Sequence, residues 1–188
     1  VKSRGARVVL KGDSYDQAYQ HALTLAEEKN ATFIHPFDDE LVIAGQGTVG
    51  MEILRQHNKP LDYIFVPVGG GGLIAGISAY VKYVSPETKV IGVEPEDAPT
   101  LYKAMEAKRR VTLKQVGIFA DGVAVAQIGK ETFRIARECV DEVILVTTDE
   151  ICAAIKDVFD DTRTVAEPAG ALSIAGMKKF VEQNKLTD

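Results

Sequence analysis

The sequence predicts an α/β fold built on an open, mostly parallel sheet with helices on both faces. Three observations carry that expectation. Strand-like and helix-like stretches alternate along the chain, which is the pattern of parallel sheets with crossover helices. The run at 63–68, YIFVPV, is short, apolar and β-branched, as suits a strand buried on both faces. That run passes without a spacer into four glycines and a helical stretch, VPVGGGGLIAG at 66–76. In open α/β sheets ligands bind beyond the carboxyl ends of strands, and the glycines stand at such an end.

Taken in order, Ala6–Leu10 reads as a strand and Ser14 opens a helix with a capping box completed by Gln17. Ala18, Ala22, Leu25 and Ala26 form its apolar stripe, and Thr32–His35 reads as a second short strand closed by Pro36. Residues 37–56 place an acidic turn before a helical apolar pattern threaded by Gly45, Gly47 and Gly50. Glycine costs stability inside a helix, so these three suggest that another element crosses very near. Lys89–Glu94 is the next strand, and Pro99 or Thr100 opens a helix through Ala107. Residues 110–129 lack a sustained period and read as a long loop of the kind that often carries function. A helix over Glu131–Cys139, a strand over Glu142–Val146, a Thr147/Glu150 capping box with a helix over 149–161, and a last helix from Glu167 and Pro168 to about Gln183 complete the chain.

The 188 residues are 46% hydrophobic and 26% charged, enough for a substantial core. No stretch has the length and apolarity of a membrane span or the form of a signal peptide, so the cytoplasm or an organelle matrix is expected and a membrane is not. The net charge of −5 comes with no basic patch, which argues against a nucleic-acid partner. Cys139 and Cys152 fall at apolar positions of expected helices and read as small core residues. His21, His35 and His57 have no metal-ligand spacing.

Four consecutive glycines remove every Cβ that would hold a ligand off the backbone. Successive N–H groups can then wrap an anion at the positive end of the following helix. The run by itself leaves open a tight turn without a ligand, a phosphate cradle, or a dinucleotide fingerprint. For the last of these, Gly70, Gly72 and Ala75 have the right spacing, with Glu94 about 20 residues on as a ribose-binding acid.

Further motifs bear on the choice: HPFDDELVIAGQGTVGMEI at 35–53, GIFADGVAV at 117–125 and VAEPAGALSIAGMKKF at 165–180. With the glycine run, and in this order, they resemble the catalytic domain of the biosynthetic threonine dehydratases. That family belongs to the fold type II pyridoxal-phosphate enzymes, with serine dehydratases and serine racemase. The resemblance implies pyridoxal 5'-phosphate as cofactor, with Gly69, Gly70, Gly71, Gly72 and Leu73 binding its phosphate through backbone N–H groups. It implies Gly122 and Val123 beside a face of the ring and Glu167 near it, although an acid at a helix N-terminus explains Glu167 equally well. Glu94 and Ala98 fall where serine racemase-like members have divalent-metal ligands. Thr100 stands where a further acid is expected, so no metal is expected.

The implied activity is removal of ammonia from L-threonine to give 2-oxobutanoate in isoleucine biosynthesis, with serine as a second substrate, by a homo-oligomer. The family's cofactor-bearing lysine and substrate-carboxylate loop have no counterpart here, so no catalytic residue is assigned. On this reading residues 1–36 are the last part of the small cofactor domain and 37–188 most of the large domain, without the regulatory domain. The chain alone is expected to be inactive. The alternative is a non-catalytic phosphate- or NAD-binding chain acting through a partner.

Overall fold

The structure is a computed structural model that describes residues 1–186; the last two residues of the expected 37–188 domain lie outside the described residues. The chain forms two compact units, one ending at Ile34 and the other beginning at His35.

The first unit is built on α1 (Tyr15–Glu28). Ser14 caps it, its hydroxyl accepting from the Gln17 N–H at 3.4 Å. The return arm differs from the expected capping box, because Gln17 Oε1 accepts from the Asp13 N–H at 2.9 Å. Tyr19 stacks on Tyr15 and meets Phe33 edge-on. The strands expected at Ala6–Leu10 and Thr32–His35 are not formed, since neither segment joins a ladder among the described residues. A strand exists through its neighbour's hydrogen bonds, and a β-branched pattern supplies propensity without supplying the neighbour.

The second unit follows the expected alternation. In order come α2 (Glu40–Gln56), β1 (Tyr63–Pro67), α3 (Gly72–Val84), β2 (Lys89–Pro95), α4 (Thr100–Ala107), α5 (Lys130–Cys139), β3 (Glu142–Val146), α6 (Thr148–Thr162) and α7 (Pro168–Asn184). The sheet is parallel in the order β1-β2-β3, with Tyr63 opposite Lys89 and Ile91 opposite Glu142. Central β2 is buried from Val90 to Pro95, as a strand covered on both sides must be.

Each face has its own core. Val66, Val68, Val90, Ile74, Leu101 and Phe133 join β1 and β2 to α3, α4 and α5. Ile91, Val93, Ile144, Val146 and Leu172 join β2 and β3 to α7, with Phe180 of α7 packed on Tyr63 and Phe65 of β1. The expected box at α6 is present, Glu150 N–H to Thr147 Oγ1 at 3.1 Å and Thr147 N–H to Glu150 Oε2 at 2.7 Å.

The helical glycines mark a crossing of α2 on α3. A Cβ on Gly47 would lie 3.1 Å from the Gly76 carbonyl oxygen, and one on Gly50 3.4 Å from Ile77 Cα. A Cβ on Gly76 would collide with the Ile43 carbonyl and lie 2.9 Å from the Gln46 carbonyl carbon. Gly45 differs, because a Cβ there meets open space. The cysteines also depart from expectation: Cys139 is half-buried and Cys152 is exposed. The buried stripe of α6 runs through Ile151 and Ala154, and Cys152 falls off it.

Candidate functional site

The candidate site begins where β1 ends. Val68 still donates to the Val93 carbonyl at 2.9 Å, and the chain then turns through Gly69–Gly71 into α3. Gly71 has φ +90°, a conformation that favours glycine. Every glycine of the run also has protein against its Cβ direction. A Cβ on Gly69 would lie 2.9 Å from Val123 Cα, on Gly70 would collide with the Phe37 ring, on Gly71 would lie 2.9 Å from Thr132 Oγ1, and on Gly72 would lie 3.0 Å from Phe37 Cβ. The glycines are therefore required by packing whether or not a ligand is bound.

Hydrogen bonding distinguishes the two edges of this turn. The carbonyl edge is held by protein: Gly69 O accepts from Thr100 Oγ1 at 3.1 Å, Gly70 O from Thr132 Oγ1 at 2.8 Å and the Gly129 N–H at 3.2 Å, and Gly71 O from the Ala75 N–H at 3.0 Å. The amide edge is different. Among the described residues, no acceptor is bonded to the N–H groups of Gly69, Gly70, Gly71, Gly72, Leu73 or Ile74. Gly70, Gly71 and Gly72 are buried, and α3 has no side-chain cap at Gly71. Buried donors without acceptors are costly, and of the six, those of Gly70, Gly71, Gly72 and Ile74 belong to buried residues; a row of this kind at a helix N-terminus has the donor arrangement that suits an anion.

Around this turn the structure gathers most of the residues expected to be functional. Val123 is buried in a short 3-10 turn, Asp121–Val123, beside Gly69. Gly122 is exposed, and a Cβ on it would lie 2.9 Å from Ala169 Cβ and 3.6 Å from Glu167 Oε1. Glu167 is the N-cap residue of α7 but its side chain makes no capping bond, which leaves its carboxylate exposed. Leu73 contributes a free N–H, and its side chain packs on the core.

Glu94 is placed otherwise. It is fully buried, and its carboxylate accepts from the Leu101 N–H (2.8 Å) and the Tyr102 N–H (2.8 Å) and shares the single Thr100 hydroxyl proton (2.9 Å) with Gly69 O. It is thus the cap that Pro99 cannot give α4. Burial pushes its carboxyl up to about 7, with those N–H groups and the Thr100 hydroxyl pulling the other way. Both oxygens are engaged by α4, which removes the acid that a dinucleotide site would use for a ribose. Ala98 is buried in the turn before α4.

Three contributors were not singled out from the sequence, Phe37, Asp38 and Thr132, and Thr100 was read only as a helix start and as a position lacking an expected acid. Phe37 and Asp38 lie within the quoted PFDD segment, the only signal that marked them. Thr100 and Thr132 look like ordinary helix-start residues until the turn they hold is seen.

A family model described as pyridoxal-phosphate dependent enzyme matches residues 1–188. The chain belongs to the pyridoxal-phosphate dependent enzyme family. A biosynthetic L-threonine dehydratase IlvA from Burkholderia multivorans is 58% identical over 179 residues, covering 95% of this chain and 35% of that protein. A chloroplastic biosynthetic threonine dehydratase from Arabidopsis thaliana is 61% identical over 188 residues, covering 100% of this chain and 32% of that protein. The chain thus spans about a third of the length of these curated relatives. The processed form of threonine deaminase isoform 2 from Solanum lycopersicum superposes with a TM-score of 0.95 at 46% identity, covering 100% of this chain and 54% of that one. Serine racemase from Dictyostelium discoideum gives 0.84 at 34% identity, covering 98% and 59%. Membership in this family agrees with the unsatisfied donor row, which has the chemistry a cofactor phosphate needs. No helix among the described residues is long and apolar enough to cross a membrane.

Proposed function

We propose that residues 1–188 are part of a pyridoxal-phosphate-dependent L-threonine dehydratase that converts L-threonine to 2-oxobutanoate and ammonia. The observation that carries this reading is the row of unaccepted N–H groups from Gly69 to Leu73, with Gly70, Gly71 and Gly72 buried, in a chain whose curated relatives are biosynthetic threonine dehydratases.

These amides hold the cofactor phosphate, with the N-terminus of α3 adding its positive end. Gly122 and Val123 line one face of the ring, and Glu167 stands near it. When bound, the cofactor supplies an electron sink that makes the α-proton of the amino acid removable. The chain's own residues orient it: the turn fixes the phosphate, and the 3-10 turn at 121–123 presents backbone without a bulky side chain at Gly122. Residues 1–36 belong to a small cofactor domain and 37–188 to the large domain. Serine is a second substrate, the working enzyme is a homo-oligomer, and it resides in the cytoplasm or an organelle matrix.

The test is to purify the longest natural form of the protein carrying this sequence and measure 2-oxobutanoate release from L-threonine with added pyridoxal phosphate. Cofactor-dependent release is expected there. None above free cofactor is expected from residues 1–188 alone, whose fourteen lysines all lie outside the family's lysine motif. Tight NAD binding without any lyase activity in the long form would contradict the reading.

A further inference from the structure

The carbonyls that share peptides with the Gly70 and Gly71 N–H groups are held by protein, while those N–H groups have no acceptor among the described residues. A trans peptide holds C=O and N–H antiparallel, so pinning Gly70 O aims the Gly71 N–H, and pinning Gly69 O aims that of Gly70. Gly70 O is the more firmly held, by the Thr132 hydroxyl and the Gly129 N–H. Both donors stand at the start of α5, which has glycine at its N-cap and no side-chain cap of its own.

The missing cap comes from 92 to 94 residues earlier. Asp38 accepts from the N–H groups of Lys130 (2.8 Å), Glu131 (2.8 Å) and Thr132 (3.2 Å). A carboxylate at a helix N-terminus suits the helix dipole, and three charge-assisted bonds fix that end of α5 in place. The fit at the contact is close. A Cβ on Gly129 would collide with the Asp38 carboxylate and lie 2.7 Å from Thr132 Oγ1. Asp38 is itself held from behind, its N–H donating to His35 Nδ1 at 2.9 Å, while neighbouring Asp39 caps α2 through the N–H groups of Leu41 and Val42. The preceding Phe37 lies against Gly70 and Gly72.

We propose that Asp38 and Thr132 are positioning residues for phosphate capture: Asp38 fixes the start of α5, and the Thr132 hydroxyl fixes the Gly70–Gly71 peptide so that its N–H meets the anion. Neither residue touches the ligand. The effect reaches the phosphate through one peptide plane, which the hydrogen bond to Gly70 O also polarises toward stronger donation by the Gly71 N–H. This rests on the reading of the glycine turn as a phosphate site, and the experiment separates the two.

The affinities of pyridoxal 5'-phosphate and of pyridoxal, which lacks the phosphate, are measured for wild type, Asp38→Ala, Asp38→Asn, Thr132→Val and Thr132→Ser in the longest natural form of the protein. For Asp38→Ala and Thr132→Val, pyridoxal 5'-phosphate affinity should fall about tenfold, the loss of one good hydrogen bond, with pyridoxal affinity unchanged. Thr132→Ser should restore it, and the Asp38→Ala/Thr132→Val double variant should lose no more than the worse single. Equal loss for both ligands, or no loss in folded variants, overturns the proposal. Should Thr132→Val fail to fold, the milder Asp38→Asn decides, with a drop of several-fold confined to the phosphorylated ligand expected and none contradicting. A wild type that does not distinguish the two ligands refutes the phosphate site itself.

Discussion

Two stretches of this chain are rich in glycine, and the structure uses them for different ends. In α2 and α3, Gly47, Gly50 and Gly76 let two helices approach until backbone meets backbone, and the helical ladders consume their amides. At the end of β1, Gly69–Gly72 are packed as closely, against Val123, Phe37 and Thr132, yet their amides are left without acceptors. Glycine content reports close approach in both places. The difference lies in hydrogen bonding, since the second stretch alone leaves a row of donors without acceptors, the pattern that suits a ligand.

The largest effect should come from breaking the purely steric member of the pair. Gly76→Ala drives a methyl into the Ile43 carbonyl and the Gln46 backbone, which flexible side chains cannot relieve. We expect a loss of about 3 kcal/mol or more in denaturant unfolding, with phosphate affinity per folded molecule unchanged. An unchanged stability would show that the crossing is looser than described.

The polar support of the turn can be sharpened through Glu94, whose capped helix carries the Thr100 hydroxyl to Gly69. Its carboxyl is raised by burial from 4.5 to about 7, so the folded protein holds this proton more tightly than the unfolded chain. The stabilisation is therefore complete below the unfolded value and is lost as pH rises to the folded one. Between pH 4.5 and 7 the wild type should lose on the order of 3 kcal/mol relative to Glu94→Gln, and the difference should level off above pH 7. Parallel stability profiles for the two proteins would contradict the burial argument.

The smallest effect lies at Gly45, the one helical glycine of the crossing with nothing within 4 Å of its Cβ direction. Gly45→Ala should stabilise by about 0.5–1 kcal/mol, the helix propensity difference alone. Destabilisation would mean that a partner surface covers this face.

Much of the fold was legible because local pattern and burial agree. All three strands of the sheet and the helices from α4 to α7 fall within a residue or so of expectation. The strands expected at 6–10 and 32–35 were not formed, because propensity names a candidate strand and a neighbour makes one. In the site, the glycine run could be read but its supports could not. Thr100, Thr132 and Asp38 act on residues 31, 62 and 92 to 94 positions away, and no local pattern encodes such pairings. Gly71 cannot serve as a clean probe of the ligand. A side chain there meets Thr132 and Ile128 and must adopt positive φ, so Gly71→Val would injure the fold before it tested the ligand.

The central claim is that the amides of Gly69 to Leu73 receive a phosphate. Backbone amide resonances followed during titration with inorganic phosphate and with pyridoxal 5'-phosphate test it most directly, since they report each N–H separately. The account predicts saturable downfield shifts of the Gly69, Gly70, Gly71, Gly72 and Leu73 amides with both ligands, while the glycines of α2 stay still. Binding that leaves those five amides unmoved, or that moves α2 instead, would contradict it.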